Sequence, residues 1–239
     1  MNNAILMSAG ADIDIMVHGL FSYEVFGQTC WITTTHVCVL IVMILLIGFF
    51  IAANRKIKHA KETPDAFQNV VELIVEMLDK MVKGVMGVNS VKFANYISTI
   101  FIFILMSNIS GIFGLRPPTA DYGVTFALGV MTFCLIQFNK FKHQHVSGVL
   151  KGLCDPWPIW APINIISEIA VPISLSLRLF ANILSGTIIM ALVYGLLGWI
   201  ATFWPSALHV YFDLFSGAIQ TYVFCMLTMT YINQAIDSE

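Results

Sequence analysis

The chain has 239 residues, of which 58% are hydrophobic and only 11% charged, and its net charge is −2. A water-soluble domain carries about 25% charged residues, so this supply excludes a globular protein wetted on every side. The small negative net charge supplies no bulk attraction to nucleic acid, and no nucleic-acid partner is expected. Several runs of about 20 apolar residues read as membrane spans. The expected class is an all-α polytopic membrane protein forming a single membrane domain.

Residues 1–34 are expected to be an external segment. Met1 to Phe26 contain no Lys or Arg, so the basic start of a cleaved signal peptide is missing and the segment is read as mature chain. Cys30, Cys38, Cys134, Cys154 and Cys225 are odd in number and form no CxxC pair. They are expected to be small apolar fillers rather than disulfides or metal ligands. No metal and no cofactor is expected.

The first span is expected at 35–53. Arg55, Lys56, Lys58 and Lys61 follow it, whereas Asp12, Asp14 and Glu24 precede it. The positive-inside rule then puts the N-terminus outside and the basic loop in the cytoplasm. Over 64–87 the pattern changes to an amphipathic helix on the cytoplasmic surface. Thr63-Pro64 reads as its cap and first helical residue. Glu76 with Lys80 and Asp79 with Lys83 stand at i,i+4 spacing opposite an apolar face. Lipid contact and packing on protein both fit this pattern.

A second span is expected at 93–115, ending outside at Arg116-Pro117-Pro118, and a third at 124–138. Lys140, Lys142, His143, His145 and Lys151 then form a second basic cluster on the cytoplasmic side, with both histidines read as loop residues. Residues 158–236 read as an apolar hairpin, with helices at about 162–199 and 206–235 joined near Trp204-Pro205. A continuous helix over 162–199 would be about 57 Å long, against a hydrocarbon core of ~30 Å. Either it breaks at Pro172 or Gly186, or it lies steeply inclined, beyond the ~0–40° of ordinary spans. The expectation is two long, steeply inclined membrane helices lying against a neighbouring protein surface, with the C-terminus in the cytoplasm. Three spans, one surface helix and this hairpin make up the expected membrane domain after the external segment. No internal repeat of 20–50 residues is evident.

Arg178 is the last Lys or Arg in the chain and sits inside the hairpin. A charge at the bilayer centre costs ~2.5–3.5 kcal/mol on insertion scales, so a lone intramembrane arginine marks a functional site by default. Ser174, Arg178, Asn182 and Ser185 share one helix face. Glu168 lies about 15 Å before Arg178 along the axis, too far for a salt bridge. On the second helix, His209, Asp213, Ser216 and Gln220 are spaced to share a face. Gln220 is placed to accept a hydrogen bond from the guanidinium. An internal Arg178–Asp213 ion pair, interhelical hydrogen bonding by Asn182, Gln220 and Ser185, and interfacial packing of His209 remain open alternatives. Two carboxylates at different depths with a fixed cation between them suit a device that loads and unloads ions on a partner moving past.

The segment Pro172-Ile-Ser-Leu-Ser-Leu-Arg178-Leu-Phe-Ala-Asn182-Ile-Leu-Ser-Gly186 resembles the signature of subunit a of F-type ATP synthases, as does Gln220-Thr-Tyr-Val-Phe-Cys-Met-Leu-Thr228. Asn164-Ile-Ile-Ser-Glu168, Asn108, Pro118-Thr-Ala-Asp121 and Thr125 fit the same family, and the likeness runs from about residue 35 to the end. It implies a non-catalytic stator subunit in the plasma (inner) membrane. The implied partners are a rotating ring of c subunits, the b subunits of the peripheral stalk, the rest of the synthase and membrane lipid. Arg178 matches the family's essential arginine, which separates two offset half-channels. Asn182 and Gln220 match residues lining it, Asp213 an external half-channel position and Glu168 a cytoplasmic one. Thr187 and Gly111 depart from the polar or acidic residues seen in some relatives.

The chain has no GxxxxGK[ST] motif, so nucleotide chemistry is expected on other subunits. Whether protons or sodium move is expected to depend on the ring. The rival readings are a self-contained cation channel or ion-coupled transporter, which predicts broken helices and pseudo-symmetry, and a passive scaffold.

Overall fold

The computed structural model describes residues 19–25, 28–58, 65–113, 115–154, 157–197, 208 and 210–237. The segment before the first span is not wholly irregular: β1 (Gly19–Val25) and β2 (Gln28–Thr33) pair antiparallel, with Tyr23 opposite Cys30 and Val25 opposite Gln28. Aromatic and β-branched residues suit such a ribbon, and only two residues separate the strands. Below it the fold is helical. The helix α1 (Thr34–Lys58) exposes Leu40, Ile44, Leu45, Ile47 and Ile51.

The helix α2 (Ala66–Met86) begins after Asp65, whose side chain makes no cap bond. Asp65 is instead paired with Lys56 at 2.8 Å. That hydrogen bond, and then the lysine charge, hold the exposed Asp65 carboxyl below its usual range. Thr63 and Pro64 lie outside the described residues; the N-cap of the described helix is Asp65. Three faces divide α2. Val71, Leu78, Val82 and Met86 are buried, Val70, Leu73 and Met77 form an exposed apolar stripe, and the charged residues occupy the rest. Both expected i,i+4 pairs are made, Glu76–Lys80 at 2.7 Å and Asp79–Lys83 at 2.9 Å. Gly87, at φ 51°, ends the helix in backbone space that a side chain rarely adopts. The chain then turns directly into α3 (Ser90–Ile109).

The helix α4 (Tyr122–Leu153) continues beyond the third apolar run and corrects the expectation that His143 and His145 are loop residues. Lys140, Lys142, His143 and His145 are helical. The helix persists because its polar side is used: Gln137 and Lys140 reach Glu168, and Gln144 reaches the Ala235 carbonyl. The helix α5 (Ala161–Leu197) runs unbroken for 37 residues through Pro172, about 55 Å at 1.5 Å per residue. Proline removes one backbone donor and crowds the preceding turn. Gly129 of α4 supplies room there, since a Cβ at that position would lie 2.8 Å from the Pro172 carbonyl oxygen. After α5 the described chain resumes with a π-helical stretch, Val210–Ser216, continuing into α6 (Gly217–Asp237).

Five stretches are long and apolar enough to cross a membrane, 34–58, 66–113, 122–144, 158–193 and 210–236. The second of them joins α2 and α3. Helices α3 and α6 sit centrally. Ile97, Ile100 and Ile104 meet Phe224, Met229 and Ile232, flanked by Leu128 and Ile136 of α4 and Leu175 and Leu179 of α5. Polar side chains are placed inside as well: Ser107, Thr119, Thr125, Thr132, Ser176, Thr221 and Thr228 are fully buried. Lipid tails are as apolar as leucine. Close packing and interhelical hydrogen bonds therefore hold such a core together, rather than water exclusion.

Candidate functional site

On α5 the expected polar stripe is real. Ser174, Arg178 and Ser185 are exposed, and Asn182 is half-buried. Ile173 and Leu177 flank the arginine and are exposed too. Arg178 is therefore a cation on an outer face otherwise made of apolar side chains and small hydroxyls. Among the described residues it makes no hydrogen bond or ion pair. The internal Arg178–Asp213 pair, weighed as an alternative, is not formed, and neither is a Gln220–Arg178 hydrogen bond. Gln220 is buried, and its side-chain nitrogen has no hydrogen-bond partner among the described residues.

The π-helical turn changes which residues of the second helix face together. An α-helical wheel puts Asp213 and Ser216 on one side. In the wider turn Ser216 faces α5, exchanging hydrogen bonds with the Asn182 side chain at 3.1 and 3.2 Å. Phe212 stacks on Gly186 of the same helix. Asp213 instead faces the end of α3. A Cβ at Gly111 would come within 3.3 Å of its carboxylate and 3.2 Å of Pro117. This is a correction to the expected shared face, and its cause is the extra residue per turn. His209 lies outside the described residues.

Asn108 holds this turn in place. Its amide nitrogen donates to the Gly217 carbonyl at 3.0 Å and to Thr221 at 3.2 Å, and its oxygen accepts from Thr119 at 2.6 Å. It is 1% exposed. Neither Thr119, Thr221 nor Gly217 stood out in the sequence as functional; the Gly just after an Asp-containing apolar turn was the available signal. Asn108→Leu leaves the buried Thr119 hydroxyl without its acceptor, while the Gly217 carbonyl keeps the Thr221 hydroxyl at 2.8 Å. The substitution is expected to cost ~1–3 kcal/mol; thermal melting of the solubilised protein checks this.

Glu168 belongs to a separate cluster. The Lys140 ammonium is paired with its Oε1, and Gln137 donates to its Oε2 at 3.1 Å. Both partners lie on α4, 28 and 31 residues back in the chain. From Glu168 to Asn182 is about 21 Å along α5. Asp213 lies beyond the Asn182–Ser216 contact, toward the far end of the hairpin. The two carboxylates are thus at opposite ends, with Arg178 between them.

The sequence profile of the ATP synthase A chain family matches residues 36–233. Among similar proteins, "ATP synthase subunit a, sodium ion specific" of Propionigenium modestum is 35% identical over 94% of this chain and 79% of its own length. "ATP synthase subunit a 1" of Chlorobium luteolum is 31% identical, covering 95% of this chain and 96% of its own. "ATP synthase subunit a" of Moorella thermoacetica is 31% identical over 80% and 85%. The chain belongs to the ATP synthase subunit a family.

Proposed function

We propose that this chain is the stator of a rotary ATP synthase membrane sector, in which two offset half-channels and Arg178 couple the passage of protons or sodium ions to rotation of a c-subunit ring. The observation that carries this reading is Arg178 itself, an exposed cation flanked by exposed Ile173 and Leu177, with no hydrogen bond or ion pair among the described residues, between Asp213 and Glu168. An always-ionised guanidinium cannot relay protons. It can draw a bare carboxylate on a passing rotor and discharge that carboxylate's cargo. A cation arriving from outside passes Asp213 and binds a ring carboxylate, which then turns through lipid as a neutral group. After nearly a full turn it is released beside Glu168. Each charge crossing 100 mV yields ~2.3 kcal/mol, so a ring of many sites is needed to sum the work.

In this arrangement α2 lies at the cytoplasmic surface, α5 and α6 incline steeply against the ring, the N-terminus is outside and the C-terminus cytoplasmic. Arg55, Lys56 and Lys58 at one end of α1 support that orientation. The unbroken α5 favours it over a self-contained transporter, which needs discontinuous helices. The experiment is reconstitution. Vesicles holding the whole complex are expected to take up cation on ATP addition, and vesicles holding this chain alone to show no flux above protein-free vesicles. Robust flux through the isolated chain would refute the stator reading.

A further inference from the structure

Between α4, α5 and α6 lies a cavity of about 630 Å³, room for on the order of ten waters or more. Its polar wall is Gln137, Lys140, Gln144, Ser167, Glu168 and Gln234. Among the described residues the titratable groups facing it are Lys140 of α4, Glu168 of α5 and Tyr231 of α6. The side chains of Lys140 and Glu168 are 20% and 29% exposed, so the pair is neither sealed in protein nor loose in bulk water. Both carboxylate oxygens are engaged, one by the ammonium and one by the Gln137 amide.

A lone carboxylate in such a partly dehydrated chamber is a deep well for any cation. A path that conducts must bind its ion strongly enough to admit it and weakly enough to release it. Lysine meets that need better than arginine. It is a compact charge on a flexible four-carbon stem and can swing aside. Gln137, on the other oxygen, keeps the carboxylate oriented while the ammonium is away.

We propose that Lys140 is a tethered counter-ion that competes with the transported cation for Glu168 and so keeps this vestibule from trapping the ion it passes. Lys140 is on this view a positioning and affinity-setting residue. The proposal rests on the reading that Glu168 borders an ion path.

The test uses the intact complex in inverted membrane vesicles and whichever of proton or sodium the wild-type complex moves. The readout is the cation concentration on the vestibule side that gives half-maximal ATP-driven uptake. Lys140→Gln is expected to lower it three-fold or more and to reduce the maximal rate, because the freed carboxylate holds the ion longer. Lys140→Arg is expected to raise it, because the planar fork grips the carboxylate more firmly than the flexible ammonium does. In a Glu168→Gln background, adding Lys140→Gln is expected to change nothing further, and this neutral pair also gives an assembled complex if the single variant does not. An unshifted half-maximal concentration in Lys140→Gln, or a further loss in the double variant, would overturn the proposal. Arg178→Ala in the same vesicles separates the two ideas. Normal pumping there would overturn the underlying path, whereas loss of pumping in Arg178→Ala with an unshifted Lys140→Gln would overturn only the lysine's role.

Discussion

Replacing Arg178 with alanine is expected to cut ATP synthesis on the order of 100-fold or more, the scale seen when a preorganised electrostatic partner is removed, while leaving the complex assembled. The side chain makes no hydrogen bond or ion pair among the described residues, so its removal breaks no internal contact seen in the structure. Its loss also relieves the cost of a charge on an apolar face. Stability should hold or rise while coupling fails, and that opposite sign separates a functional arginine from a structural one. Arg178→Lys keeps the charge but loses the planar fork and its fixed geometry, and an intermediate rate is expected. The measurement is ATP synthesis driven by an imposed ion gradient, normalised to complex content, with a passive leak assay beside it. Near-normal synthesis by an intact Arg178→Ala complex would refute the role.

The second large effect is expected far from any charge. Gly129→Ala would put a carbon 2.8 Å from the Pro172 carbonyl oxygen and 3.3 Å from Ser176 Cβ. A backbone carbonyl inside a helix cannot swing away, so α4 and α5 must separate. Overpacking of this kind costs ~1–3 kcal/mol. Pro172 precedes Arg178 by less than two turns, so any separation moves the guanidinium as well. Where function depends on a close approach, a displacement near 1 Å can cost ~100-fold. The complex carrying Gly129→Ala is expected to melt earlier and to couple at least ten-fold less well. Gly48→Ala, where an added carbon meets nothing within 4 Å, is the control and is expected to be silent. Equal behaviour of the two variants would show that the α4–α5 crossing tolerates the extra carbon.

The sequence carried the parts of the fold that repeat at short range. Apolar runs marked the long helices, i,i+4 charges marked the exposed side of α2, and the Ser174–Arg178–Ser185 stripe lies where helical spacing puts it. Contacts spanning many residues were out of reach. Nothing local joins Lys140 to Glu168. Lys140 fell just past a span drawn only as far as Phe138, and the i,i+2 spacing put His143 and His145 in a loop, although a helix can continue past its apolar stretch. The apolar Phe138 and Phe141 on either side were the signal that α4 goes on. Asp213 was misplaced for a different reason: helical wheels assume 3.6 residues per turn, and Val210–Ser216 does not obey it. The role of Asn108 as a clamp depends on Thr119 and Thr221, partners on two other elements.

That wide turn works as a phase shifter. Downstream of it, Gln220 and Phe224 are set in one rotational frame against the interior; upstream, Asp213 is set in another, pointed at Gly111. Deleting a single residue from Val210–Ser216 would let the backbone relax into ordinary helix, a local gain, yet it would swing everything before the cut by ~100° relative to everything after it. The carboxylate would leave its niche even though no residue that touches it had changed. Length, not only composition, is therefore under constraint in this stretch.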